Sequence, residues 1–109
     1  MSHMINLPIP QGAADRAERS VFKYALEIVH YQSVDMPHNA QILCVQPQRG
    51  KPCIWALVNP TNPVKARRFH IVETGHLIED GDSERYVGTV QIVYPMEGPL
   101  VWHIFEVPA

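Results

Sequence analysis

Apolar and polar positions alternate along most of this chain, and turn residues cut the alternation into short runs. From Ala40 onward the runs cover residues 41–46, 53–59, 69–74, 86–94 and 100–107. Gln48-Arg49-Gly50-Lys51, Asn59-Pro60-Thr61-Asn62-Pro63, Asp80-Gly81-Asp82 and Pro95-Met96-Glu97-Gly98-Pro99 separate them. Successive side chains of a strand point to opposite faces, so period-two runs with such punctuation predict antiparallel strands.

Residues 22–28 add a strand that residues 29–34 either continue or follow as a second short strand, closed by a turn at Met36-Pro37-His38-Asn39-Ala40, where Pro37 lacks a donor and disfavours helix before it. Ile42, Cys44 and Gln46 are expected on one face of their strand, with Leu43 and Val45 on the other. Apolar residues on both faces predict a central strand there. Residues 53–58 are almost continuously apolar, which predicts burial on both faces, as in a sandwich or closed barrel. Phe69 and Ile71 alternate with Arg68 and His70, giving one wet face. In the last two strands Tyr86, Gly88, Val90 and Ile92 oppose Val87, Thr89, Gln91 and Val93, and Leu100, Trp102 and Ile104 oppose Val101, His103 and Phe105. Gly88 inside such a run points to a bulge or a close approach of neighbours. The expected fold is all-β, a small antiparallel sandwich or barrel of six to seven strands over residues 21–109.

The first residues differ. Met1-Ser2-His3-Met4 resembles an expression remnant, so His3 is left out of any metal argument. Residues 5–20 are expected to form an N-terminal arm, extended through its two prolines and then short and helical, too short to be stable alone.

Composition narrows the function. A chain of 109 residues with 46 % hydrophobic and 18 % charged content suits one folded domain. Its formal charge of −2 argues against a general duplex binder, so nucleic acid is not an expected partner. No run approaches the roughly 18 apolar residues of a membrane span, and no secretory signal is visible, so no membrane role and a cytosolic location are expected. Cys44 and Cys53 flank the Gln48–Lys51 turn; if Pro47 pairs with Pro52, Cys44 faces Trp55 and Cys53 faces Gln46. The thiols are then diagonal neighbours roughly 7–8 Å apart by backbone position, long for a relaxed disulfide. Two small buried hydrophobes are the plain expectation, with the pairing left open.

Several residues are candidates for chemistry. Thr74-Gly75-His76 with Glu79 and Asp80 places an imidazole beyond a strand end, able to reach a ligand or to bond a turn carbonyl. His103, between Trp102 and Ile104, is expected to be a satisfied core residue. Lys65-Ala66-Arg67-Arg68 is the one basic cluster, with Arg49 and Lys51 expected at the same sheet end; it could hold phosphate or be a solvated loop. The acidic stretch 79–84 lacks the spacing of an EF-hand, and the His and Cys residues lack common zinc spacings, so no metal site is assigned. No phosphate-binding glycine loop, nucleophile elbow or serine triad is present; no catalytic residue and no cofactor is assigned. Trp55 and Phe105 are expected in the core, whereas Phe22, Tyr24, Tyr86 and Trp102 are candidate interface residues. An open edge strand near 22–28 could pair with a second copy, so a homo-oligomer is expected.

The sequence also carries a resemblance. Met36-Pro37-His38-Asn39-Ala40-Gln41-Ile42-Leu43-Cys44-Val45-Gln46, then Gly50-Lys51-Pro52-Cys53-Ile54-Trp55-Ala56-Leu57-Val58-Asn59-Pro60, Arg68-Phe69, Thr74-Gly75-His76, Tyr86-Val87-Gly88-Thr89 and Leu100-Val101-Trp102-His103-Ile104-Phe105-Glu106 carry it. Together they resemble small proteins of unknown function encoded by tailed bacteriophages and prophages. The resemblance implies an accessory phage protein made in the host bacterial cytoplasm. Two functions follow as expectations. One is binding to a host protein, as a host-takeover or counter-defence inhibitor. The alternative is sequestration of a small phosphorylated or nucleotide ligand by Lys65, Arg67, Arg68 and His76.

Overall fold

Seven strands carry the chain back and forth: β1 (Ser20–Ala25), β2 (Tyr31–Pro37), β3 (Gln41–Gln48), β4 (Lys51–Val58), β5 (Val64–Glu73), β6 (Arg85–Tyr94) and β7 (Gly98–Val107). This computed structural model describes residues 19–79 and 83–109. The expected N-terminal arm lies outside the described residues as far as residue 18, and Ser20 already opens β1. Among the described residues there is no α-helix, and the all-β expectation holds.

Every strand pair is antiparallel. The strands form a three-stranded sheet, β1-β4-β3, and a four-stranded sheet, β2-β5-β7-β6. The edge strand β3 of the first lies beside the edge strand β6 of the second. Between the sheets sits one core, in which Ile54, Ala56 and Val58 of β4 meet Phe69, Ile71 and Ile104 of β5 and β7. Ile54, Phe69 and Ile104 are fully buried, each contributing about 1.5–3 kcal/mol of transfer free energy.

The β3–β4 hairpin shows how local residues set register. Arg49 and Gly50 both take positive φ (53° and 78°), the conformation that a tight two-residue hairpin of matching twist requires. Pro47 then pairs with Pro52, Cys44 with Trp55 and Gln46 with Cys53, as the sequence suggested. Both cysteines are free, and Cys53 is buried. β4 is the central strand of its sheet: Pro52, Ile54, Ala56 and Val58 are buried on one face, Cys53 on the other, and Trp55 and Leu57 are half-buried. Its unbroken apolar run thus has a direct cause.

Two expectations change. β3 is an edge strand by hydrogen bonding, not a central one, with β6 of the other sheet beside it and Val45 turned toward Gly88. A register shift between Ile42 and Cys44 also changes its phase, so Ile42 and Val45 both pack on the core while Leu43 is exposed. The basic residues Lys65, Arg67 and Arg68 belong to β5 rather than to a loop.

β6 carries a matching irregularity between Tyr86 and Gly88. Tyr86 pairs with Phe105 and Gly88 with Ile104, so Tyr86 turns to the outer face and away from Val90 and Ile92. Gly88 also meets the second expectation for it, a close neighbour: a Cβ there would run into Cγ1 of Val45 on β3. The two sheets approach at this point only because one residue has no side chain.

Gly88→Ala is therefore expected to destabilise the domain by about 1–3 kcal/mol through overpacking. Adding Val45→Ala should recover part of that loss, giving a double variant more stable than the sum of the single effects. Urea unfolding of the three variants checks this; strictly additive losses would show that the two residues do not collide.

Candidate functional site

At one end of the sandwich, the β2–β3 turn, the start of β5, the start of β6 and the end of β7 come together around an open groove. Its wider part, about 520 Å³, is lined by Asn39, Ala40, Lys65, Arg67, Arg68, Arg85 and Glu106, among others. A second part of about 490 Å³ shares Asn39, Ala40, Arg67, Arg85 and Glu106 and runs up the seam between β3 and β6, past Gln41, Ile42, Tyr86 and Val87. Each lies within the roughly 300–1,000 Å³ usual for small-molecule sites.

The floor is a brace. Arg67 donates from Nε and Nη2 to the two carboxylate oxygens of Glu106 (2.7 and 2.8 Å) and from Nη1 to the Ala40 carbonyl (2.6 Å). One guanidinium thus joins β5, β7 and the residue that leads into β3. The hydrogen bond to Glu106 holds the Arg67 pKa above the usual arginine value, against the opposing pull of desolvation. Tyr24 of β1 feels the same charge: burial pushes its phenol up, and Arg67 partly offsets the rise.

Three other cations are held differently. Lys65 and Arg85 have no ion-pair partner among the described residues, and both are exposed. Arg68 lies over the Tyr31 ring at 4.6 Å, a contact that orients the guanidinium and leaves its N–H edges available. With Glu106 paired to Arg67, three cations line the groove with no ion-pair partner among the described residues.

Beside the groove the outer face of the four-stranded sheet is unusually ordered. Tyr31 stacks on His70 (centroids 4.2 Å apart, 13° between planes), and His70 Nδ1 is 2.8 Å from Glu84 Oε1. These two side chains are only 5 % and 2 % exposed, so Glu84, one residue before β6, is held down onto the sheet. Further along, His103 Nε2 lies 2.7 Å from Thr74 Oγ1 and its Nδ1 3.0 Å from Thr89 Oγ1, which in turn is 2.6 Å from the Tyr86 hydroxyl. His103 is thus satisfied on the sheet's outer face, by hydroxyls and not by core groups.

The predicted residues divide. Lys65, Arg67 and Arg68 share the groove, but Arg67 is committed to the brace. His76 does not join them. It sits in the turn that follows the other end of β5, whose last residue Glu73 is roughly 17 Å from Arg68 along the strand, and contacts Glu73 at 3.5 Å. Arg49 and Lys51 likewise sit at the opposite end, where Lys51 pairs with Glu27 at 2.7 Å. Phe22 and Tyr24 are neighbours on β1 (centroids 6.5 Å apart), Phe22 exposed and Tyr24 partly buried on the core. Trp102 packs on the core and donates to the Tyr94 hydroxyl at 3.3 Å. Tyr86 stands alone of the four on the outer face of the other sheet, 58 % exposed. The four aromatics form no single patch.

Sequence reasoning missed Arg85, Glu106, Asn39 and Gln41. Arg85 could have been found once β6 and β7 were paired, since it sits opposite Glu106. Among the described residues no group of three His, Cys, Asp or Glu side chains could hold a metal ion, and no helix is long and apolar enough to cross a membrane.

The fold and groove define a two-sheet antiparallel β domain with a cationic cleft at one end. Residues 17–109 match the family described as Domain of unknown function (DUF7352), and the chain belongs to it. No curated protein and no solved structure matches the chain.

Breaking the brace has a calculable cost. Both side chains keep some exposure (19 % and 14 %), so Glu106→Ala is expected to cost about 2–3 kcal/mol, below the upper end for a fully buried pair. Replacing both residues, as Arg67→Met with Glu106→Leu, should cost less than Glu106→Ala alone because no charge is left unpaired. Denaturant midpoints decide the matter; wild-type stability in Glu106→Ala would remove the brace from the account.

Proposed function

We propose that this domain acts by binding, as an accessory protein of tailed-phage origin that captures a host protein in the bacterial cytoplasm. The observation that carries the reading is the free edge of β1. Among the described residues that strand hydrogen-bonds only to β4, five of its six residues are exposed, and Val21 and Phe22 present apolar surface (54 % and 38 % exposed). An unpaired edge with apolar side chains is a template for strand addition by a partner. The shared wording with phage proteins supports the origin, and through it the host target and an anti-defence or host-takeover role. A second copy of the chain competes for the same edge and would make the homodimer.

A second reading has its own support. Lys65, Arg68 and Arg85 converge on one groove without carboxylate partners among the described residues, which suits a small phosphorylated ligand held by sequestration. In this reading Arg67 positions the floor and His76 takes no part.

Affinity capture from host lysate with the wild type and with Val21→Lys tests the first reading, because a charge on the edge blocks strand addition while a surface change costs little stability. A host protein should be retained by the wild type and at least tenfold less by the variant. Equal retention by both, or none by either, sinks it. Sedimentation of the two proteins distinguishes a second copy from a host partner.

A further inference from the structure

We propose that the occupant of the basic groove is a nucleoside phosphate, its phosphates against Lys65, Arg68 and Arg85 and its base in the seam between β3 and β6. The inference rests on the second reading above and names the ligand class and the base-contacting residues. Two features separate the ends of the groove. The wide end adds Lys65 and Arg68 to Arg85 and the Arg67–Glu106 brace, which line both parts. The seam end is bordered by Ile42 and Val87, both partly buried on the core, by the exposed Tyr86, and by the amide of Gln41. A charged head and a flat, weakly polar body are what such a gradient selects.

The seam has a structural reason to stay open. β3 and β6 lie side by side, yet they belong to different sheets and share no ladder. Each has its register shift near the groove, at Ile42/Cys44 and at Tyr86/Gly88. Edge groups of both strands can therefore meet the hydrogen-bonding rim of a base, together with the amides of Gln41 and Asn39.

The walls are also preformed. Tyr86 is held by Thr89 at its hydroxyl (2.6 Å) and meets Phe105 edge-on (5.7 Å, 65°), so an exposed ring keeps a fixed plane. The Arg67 brace fixes the floor. Sites that need no ordering on binding keep more of their contact energy as affinity, and a fixed aromatic plane accepts any base by stacking.

Calorimetric titration of the full chain with inorganic pyrophosphate, with adenosine and guanosine diphosphates, and with adenosine tests the proposal. A nucleoside diphosphate should bind at least tenfold tighter than pyrophosphate. Arg85→Ala should weaken both at least tenfold. Tyr86→Ala should weaken the nucleotides about fivefold or more and leave pyrophosphate unchanged, and Tyr86→Phe, which keeps the ring, should retain most nucleotide affinity. Pyrophosphate binding as tight as any nucleotide, with no effect of Tyr86→Ala, overturns the nucleotide assignment and leaves the phosphate reading standing. Binding of neither overturns both. Adenosine binding as tight as its diphosphate overturns the assignment of Lys65, Arg68 and Arg85 to phosphate. Circular dichroism of each variant confirms that the fold is intact in every comparison.

Discussion

The contact of Val45 with Gly88 governs how this protein closes. Two sheets of three and four strands must approach along one edge to bury Ile54, Phe69 and Ile104, and the approach is limited by whatever stands between β3 and β6. A residue with no Cβ removes the obstacle, and Val45 fills the space. Dense interiors tolerate little excess volume, so a side chain at Gly88 would push the sheets apart just where they meet. The Arg67 brace acts on the same closure from below, joining β5 and β7 to the entry of β3 through three charge-assisted hydrogen bonds.

Closure at that edge also creates the groove. The register shifts in β3 and β6 bend the two edges out of phase, so they adjoin without pairing. Their second effect is to re-aim side chains. The shift at Tyr86/Gly88 puts Tyr86 on the outer face beside Phe105, and the shift at Ile42/Cys44 returns Ile42 to the core and exposes Leu43. Bulges commonly serve this purpose next to binding sites. Here they account for both the opening and the aromatic wall that borders it.

What could be read in advance depended on how local the signal is. The β3–β4 hairpin was legible because Arg49-Gly50 fixes the turn and the turn fixes the register, down to Cys44 opposite Trp55. The burial of β4 was legible because its apolar run is unbroken, and Gly88 pointed to a bulge or a close contact, of which the structure has both. The phases of β3 and β6 were not, because nothing in β3 marks the shift at Ile42/Cys44, and in β6 the glycine points to a bulge without saying which residues change face. For the same reason Tyr86 was grouped with Val90. In the candidate site, Lys65, Arg67 and Arg68 fall together because they are adjacent in sequence. The Arg67–Glu106 pair spans 39 residues, and no local pattern could connect them. Nor could any show that β5 places His76 far from the cations it was grouped with.

The two surfaces proposed for binding lie on opposite edges of one sheet, β1 on one side and β3 at the seam, with β4 between. A partner added to β1 therefore leaves the groove uncovered, and sterics alone do not make the two exclusive. They share an electrostatic contact, however. Arg67, which forms the groove floor, acts on the Tyr24 phenol of β1 across the core. Any free energy exchanged through this contact is reciprocal, so whatever a groove ligand does to the β1 edge, a β1 partner does equally to ligand affinity. Because the guanidinium is already held by Glu106 and the Ala40 carbonyl, a ligand that leaves the brace intact changes little at Tyr24. The brace thus holds the guanidinium between β5, β7 and the entry of β3, so whatever enters the groove meets a cation already fixed in place.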